Sequence, residues 1–293
     1  MLFDMLAEPG ETVVVESPSY DRTLLALGDR GADLLAVPLG EDGLDVGALE
    51  VALEAGAAPR FIHTIPNFHN PAGCTLSLEK RRRLVELAAE HAFFIFEDDP
   101  YREVRFAGDD LPTMLSLDTA DWVVYASSFS KTIAPGVRVG YLIGPTDVIE
   151  ELTRSAVGTY ISPNMLAEAI VAEFCLSGAI EESIATVKKA LRARRDAVAE
   201  GLRGQIGDEV SFVTPEGGYF LWAELPEEVD TTALLTVAAE RGVSFVPGAD
   251  FMLEGGKNAL RLAYAPVTPE QAAEGVERLA DALAALRQGA PAA

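Results

Sequence analysis

The sequence predicts an α/β protein: a mainly parallel sheet forms a large domain, and a smaller α+β domain follows toward the C-terminus. Two changes of pattern along the chain carry this. Over the first two-thirds, short apolar runs rich in β-branched or aromatic residues alternate with helix-like segments at α/β spacing. From about residue 163 the texture shifts to long helical stretches, after which strand-like runs return and a final helix closes the chain.

The strand-like runs of the first part are "TVVVE" (12–16), "DLLAVPL" (33–39), "RFIHTI" (60–65), "FFIFED" (93–98), "DWVVYAS" (121–127) and "RVGYLIG" (138–144). The clearest helix between them is "LSLEKRRRLVELAAEH" (76–91), where Leu84, Leu87 and Ala88 share a face and Ser77 stands where it can cap the start. Then come "PNMLAEAIVAEFCLSG" and "IEESIATVKKALRARRDAVAEGLRG", the second long enough to bridge two domains. The expected division is 1–180 for the large domain and 181–293 for the bridging helix and small domain. Within the latter, strands are expected at 217–225, 243–248 and 259–265 and a helix from Pro269 to about Leu286, with "RQGAPAA" as a frayed tail.

Composition narrows the function. At 293 residues and 49% hydrophobic the chain can bury a large core. Its formal charge of -23, with 5 lysines among 23 basic residues, disfavours nucleic acid and anionic membranes. No apolar run approaches the ~18 residues of a membrane span, and the start carries no basic segment ahead of an apolar one, so a cytoplasmic location is expected. Cys74 and Cys175 form no CxxC, and His63, His69 and His91 have no paired spacing, which argues against a disulfide framework or a zinc site. Both cysteines are expected to serve packing.

Three clusters fall at or just past the carboxyl ends of predicted strands, where open α/β sheets bind ligands. "PNFHNPAG" brings Asn70, "EDDPY" brings Asp98 and Tyr101, and "SSFSK" brings Ser128, Ser130 and Lys131. Singly, each has a plain structural explanation: Asn-Pro-x-Gly is a turn, acidic loops are solvated, and Arg138 could pair with a surface carboxylate. Their order is more specific. "NPAG", "EDDPY", "SFSKTIAPGVRVG" and "LRLAYA" together resemble the fold-type-I pyridoxal-phosphate enzymes, specifically class I/II aminotransferases of the 2-aminoadipate and regulator-like branch. The resemblance runs from about residue 3 to residue 285.

It implies a transaminase that moves an amino group between an amino acid and a 2-oxo acid by a ping-pong route, with pyridoxal 5′-phosphate as cofactor. It also implies a homodimer with active sites at the subunit interface. Lys131 matches the catalytic lysine that bonds to the cofactor aldehyde. Such an amine must be deprotonated, which burial beside other cations favours, and once freed it can carry the substrate Cα proton. Asp98 matches the carboxylate that pairs with the pyridine nitrogen, an attraction of ~4 kcal/mol at 4 Å and an effective dielectric of about 20. Asp99 is its close rival, but Asp98 is the one three residues before Tyr101, as in the family pattern. Tyr101 and Asn70 match groups that hydrogen-bond the cofactor's phenolate oxygen, and Tyr20 matches the aromatic stacked on its ring. Ser128, Ser130 and Arg138 match phosphate ligands. Arg261, within an otherwise apolar strand, matches the arginine that binds the substrate carboxylate beside Asn70.

The resemblance further implies a segment upstream of "MLFDMLAEPGETVVVESPSY" with a phosphate-binding turn at a helix N-terminus. Residues 1–293 alone are therefore expected to hold the cofactor weakly. A catalytically inactive or regulatory effector domain of a transcription factor is the alternative, since the same fold serves regulators with an attached helix-turn-helix; a lyase or decarboxylase is a further one. Ser128-Phe-Ser-Lys131 also fits the S-x-x-K of penicillin-recognising enzymes, but neither Ser-Asp-Asn nor a Lys-Thr-Gly strand accompanies it. At least one of Ser17–Pro18 and Asn70–Pro71 is expected to be cis, because relatives have tight turns there.

Overall fold

Three consecutive valines show how the chain is layered. Side chains along a strand alternate between faces. Val13, Val14 and Val15 are all buried, Val14 in one apolar cluster and its two neighbours in another. A strand buried on both sides needs helices on each, and the computed structural model, which describes residues 1–289, has them.

The first part of the chain runs α1 (Leu2–Leu6), β1 (Thr12–Ser17), α2 (Asp21–Gly28), β2 (Asp33–Gly40), β3 (Gly43–Leu44), α3 (Val46–Glu54) and β4 (Phe61–Thr64). It continues through α4 (Leu78–His91), β5 (Phe94–Asp98), α5 (Met114–Leu117), β6 (Val123–Ser128), β7 (Gly140–Ile143) and α6 (Thr146–Tyr160). The strands form a seven-stranded sheet in the order β3-β2-β1-β4-β5-β6-β7. Its five central strands are parallel and its two edge strands antiparallel. Leu49 and Leu53 of α3, Leu84 and Leu87 of α4 and Met114 of α5 close over Val14. Leu2 and Leu6 of α1, Leu27 of α2 and Val148 and Leu152 of α6 close over Val13 and Val15. From β1 the chain steps outward to β2, then returns past β1 to β4. Strand order therefore reverses beside β1, the place at the carboxyl ends where open α/β sheets bind ligands.

The second part comprises α7 (Met165–Leu176), α8 (Ala179–Gln205), β8 (Phe220–Glu224), α9 (Thr231–Glu240), β9 (Val246–Pro247), β10 (Ala259–Ala263) and α10 (Pro269–Arg287). Its three strands form an antiparallel sheet in the order β8-β10-β9. α8 has 27 residues, and its buried positions, among them Leu191, Val198 and Leu202, run from its middle to its C-terminal end. They meet Val276, Leu279 and Leu283 of α10 and Leu221 and Leu260 of the sheet. Thr268 and Gln271 form a capping box at the start of α10, with Pro269 at the first helical position. Ile65, Phe68, Tyr101 and Val104, from the loops after β4 and β5, join the same apolar cluster. The two sheets are thus packed together just where those loops leave the parallel strands.

Several elements differ from the sequence-based expectation, each for a local reason. The strand expected at 243–248 shrinks to Val246–Pro247, because Pro247 has no N–H to donate and Gly248 starts a 3₁₀ turn. The strand expected from 217 begins at Phe220, since Gly218 has φ +74° and turns the chain. Ser77 is the first residue before α4, but its hydroxyl caps no helical N–H. Cys74 is buried as expected, whereas Cys175 lies exposed on α7. Both Ser17–Pro18 and Asn70–Pro71 are cis. Of the expected tail at 287–293, residues 290–293 lie outside the described residues.

Candidate active site

β1, β4, β5 and β6 each end in a segment that carries candidate residues, and their parallel register brings the four ends to one edge of the sheet. Tyr20 precedes α2 just past β1, Asn70 lies in the loop after β4, Asp98 ends β5 with Tyr101 three residues on, and Ser128 ends β6. Arg261 arrives from the second sheet, on β10.

Lys131 lies in the turn after β6. Its Nζ stands 5.5 Å from the centre of the Tyr101 ring and 4.9 Å from that of Tyr219. Burial in this aromatic corner holds its pKa below the usual lysine value, the Arg138 guanidinium adds to the effect, and Asp98 partly opposes it. A lysine so placed gives up its proton more readily than a solvated one, as a nucleophile or base requires.

Ser128, Ser130 and Arg138 form a small polar rim beside it. The Ser130 N–H donates to Ser128 Oγ at 3.1 Å, and Arg138 Nη1 reaches Ser130 Oγ at 3.3 Å. Arg138 adopts φ +52° after the 3₁₀ turn Pro135–Val137, a left-handed conformation that costs a non-glycine residue ~1–2 kcal/mol. Two hydroxyls and a guanidinium on one rim make a donor set for a dianion.

The adjacent carboxylates Asp98 and Asp99 have separate surroundings. The Asp98 side chain keeps 28% of its surface exposed and lies 3.5 Å from His63 Nε2. Its charge is felt by Lys131, Tyr20 and Tyr101. Asp99 is fully buried, and both its oxygens accept from Asn67 Nδ2 at 2.9 Å. Burial pushes its pKa up to about 6. Of the two, Asp98 is the carboxylate whose charge reaches the lysine and both tyrosines. Tyr101 is buried, and that burial, with Asp98 close by, holds its phenol above the ordinary range; Tyr20, half-buried, shifts the same way for the same first reason.

Arg261 is held between two rings, its guanidinium carbon 4.3 Å from the centre of Phe220 and 4.7 Å from that of Phe251. Nη1 donates to Asn70 Oδ1 at 2.9 Å, yet the buried Nε has no partner. A buried guanidinium with a free donor is costly unless an anion completes it. A continuous chain of contacts runs from Lys131 to Tyr101, to Phe220 and to Arg261, and so links the amine to this unfilled donor.

These groups fit pyridoxal phosphate by their chemistry. A lysine with a depressed pKa lies within the field of a carboxylate, a serine and arginine rim can take a phosphate, and a partnerless arginine N–H can take a carboxylate. Sequence reasoning missed Tyr219, Phe220, Phe251 and His63. The phenylalanines and Tyr219 belong to no motif and meet the site only because the second sheet packs across it. His63 is visible on an expected strand, but its spacing from the other histidines speaks only to metal binding.

Fold and comparisons together define the class, a pyridoxal-phosphate-dependent enzyme of the aminotransferase fold. The chain belongs to the family "Aminotransferase class I and II", whose profile matches residues 1–279. The 2-aminoadipate transaminase of Thermus thermophilus is 36% identical over 283 residues, which make up 95% of this chain and 71% of that protein. A crystal structure of an alpha-aminoadipate aminotransferase from the same species, complexed with N-(5'-phosphopyridoxyl)-L-leucine, matches with a TM-score of 0.92 at 35% identity, over 97% of this chain and 74% of that one. An uncharacterized HTH-type transcriptional regulator of Bacillus subtilis is 30% identical over 277 residues, 94% of this chain and 56% of the regulator. The chain is thus a transaminase by family, with pyridoxal phosphate as its cofactor. Among the described residues, no helix is long and apolar enough to cross a membrane.

Proposed function

We propose that Lys131 is the residue that bonds to pyridoxal phosphate, and that the residues around it divide the remaining work of transamination between an α-amino acid and a 2-oxo acid. The observation that carries this is a lysine of lowered pKa that feels the Asp98 charge and is linked through the Tyr101 and Phe220 rings to an arginine whose buried Nε has no partner. When bound, the cofactor supplies an aldehyde and an electron-withdrawing ring. Ser128, Ser130 and Arg138 hold its phosphate, Asp98 pairs with its ring nitrogen, and Tyr20 lies against its face. Tyr101 and Asn70 bond its phenolate oxygen. Arg261, with Asn70 beside it, takes the α-carboxylate of the substrate and so fixes which bond at Cα faces the lysine. The Lys131 amine takes the Cα proton and later returns it.

The chain is read as two domains, 1–180 and 181–293, a division supported by the separate sheets and by the long α8 at their junction. It is read as a cytoplasmic homodimer. Exposed apolar side chains on β7, α6 and α7, including Tyr141, Leu142, Met165 and Leu166, support a subunit contact on that side. Regulatory service is the second reading, favoured by the likeness to the Bacillus subtilis regulator.

The test is transfer of label. With pyridoxal phosphate, a ¹⁵N-labelled amino acid and an unlabelled 2-oxo acid, the product amino acid should carry the ¹⁵N. Loss of carbon dioxide or of the side chain without transfer would replace the transaminase assignment with another pyridoxal-phosphate chemistry.

A further inference from the structure

We propose that Tyr219 is a positioning residue for proton transfer: with Tyr101 it forms an aromatic corner beside the Lys131 amine that favours the ammonium formed when the lysine takes the proton. This rests on the assignment of Lys131 above and adds a residue that no motif indicates.

Both rings are in range. A cation is attracted to a ring within about 6 Å of its centre. Lys131 Nζ lies 4.9 Å from the Tyr219 ring and 5.5 Å from the Tyr101 ring, and the two rings are themselves 5.7 Å apart and tilted by 53°. The tyrosine hydroxyl has a second task, since Tyr219 Oη donates to the Lys131 carbonyl oxygen at 3.1 Å and fixes the lysine's backbone.

Tyr219 is itself firmly placed. Gly217 and Gly218 press against Phe68 so closely that a Cβ on either would stand 2.4 and 2.5 Å from it. The single hydroxyl hydrogen of Tyr264 is shared between the carbonyl oxygens of Gly217 and Gly218, at 2.8 and 2.9 Å from Oη. The Tyr264 N–H donates to the Tyr219 carbonyl at 3.2 Å. The next residue, Phe220, covers Arg261. One dipeptide therefore touches both the proposed proton carrier and the proposed carboxylate holder.

The energetic logic is differential. Burial favours the neutral amine before reaction, while the ring faces favour the ammonium after it. In the proton-transfer step the amine lone pair takes the Cα proton, the C–H bonding pair stays with carbon, and the lysine gains one positive charge. An interaction that strengthens as that charge develops lowers the barrier rather than merely improving binding. The rings act on the charge alone, so substrate affinity should change little when one is removed.

With five lysines and one amino terminus, the chain suits reductive ¹³C-dimethylation and NMR titration before any cofactor is added. The Lys131 signal is the one missing in Lys131→Arg. Replacing the ring by an aliphatic side chain, Tyr219→Leu, should lower the Lys131 titration midpoint by about 0.5 unit. Tyr219→Met is a second aliphatic replacement with the same expected fall, should the leucine variant not fold. Tyr219→Phe, which keeps the ring, should hold the wild-type midpoint. In the cofactor-loaded enzyme, Tyr219→Leu should slow exchange of the substrate Cα proton with solvent about threefold and leave KM unchanged. An unchanged or raised midpoint in the aliphatic variants would overturn the proposal, because the ring would then act only by excluding water. Equal falls in Tyr219→Phe and Tyr219→Leu would also overturn it, since the hydroxyl and not the ring would be responsible. The titration needs neither cofactor nor substrate, so its outcome is separate from whether Lys131 bonds to the cofactor.

Discussion

Two polar regions lie within a few residues of each other and are built on opposite terms. In the buried region under the sheet end, the polar groups are matched within the chain. Asn67 is its hub: Nδ2 serves both oxygens of Asp99, while Oδ1 accepts from Arg81 Nη2 at 2.8 Å and Arg105 Nη2 at 3.2 Å. Arg81, fully buried, also donates to the carbonyls of Leu76, Pro66 and Pro112. In the open region, capacity is left over: Arg261 Nε has no partner, Asp98 is partly exposed, and Lys131 is uncharged more readily than a solvated lysine. Satisfied polar groups fix a loop, and unsatisfied ones await a ligand. The difference assigns structure to the first region and chemistry to the second.

The sharpest way to break this contrast is to cut each region and look for the wrong loss. Arg81→Met removes the donor to three carbonyls and Asn67, and a broken buried network of this kind costs ~3–5 kcal/mol. Urea unfolding should show that loss, with KM for the amino acid little changed in whatever protein stays folded. An unchanged melt would mean that the loop after β4 is held by something other than this network. Arg261→Lys should behave the other way. Losing the planar fork should reduce kcat/KM by ~10²-fold, equivalent to ~2.7 kcal/mol, with stability shifted by less than ~1 kcal/mol. A large stability loss with normal kinetics would make Arg261 a structural residue and its free Nε an accident.

A smaller effect concerns pH. Burial raises Asp99 to about 6 and Glu97 to about 7. A carboxyl whose folded pKa lies above its unfolded value favours folding most below the ordinary carboxylate range, and that contribution is lost as pH rises through the folded value. Unfolding free energy should therefore decline between about pH 4.5 and 7.5. Glu97→Gln should flatten the slope by up to ~2 kcal/mol across that window, measured by urea melts at a series of pH values. A slope unchanged in Glu97→Gln would remove Glu97 from the account.

The same contrast explains how far the sequence could be read. Strands and helices of the parallel sheet were legible because each carries its own periodicity, and the loop motifs because Pro, Gly and Asn mark turns where strands end. Asp98 and Asp99 are adjacent, acidic and alike in composition. Motif spacing could favour one, but only the surroundings reveal that Asn67 serves Asp99 while the charge of Asp98 reaches the tyrosines and Lys131. Arg261 was visible as a charge in an apolar strand, while the rings of Phe220 and Phe251 about it were not, since they are 41 and 10 residues away in sequence. Tyr219 left no signal at all, because its contact with Lys131 crosses 88 residues and depends on how two sheets pack.

The central claim is that Lys131 bonds to the cofactor, and chemical trapping tests it most directly. Pyridoxal phosphate bound to the protein and reduced with borohydride should leave one pyridoxyl group on the peptide that contains Lys131, and Lys131→Ala should take up none. A label on Lys80, Lys188, Lys189 or Lys257 would contradict the account and move the active site elsewhere in the chain.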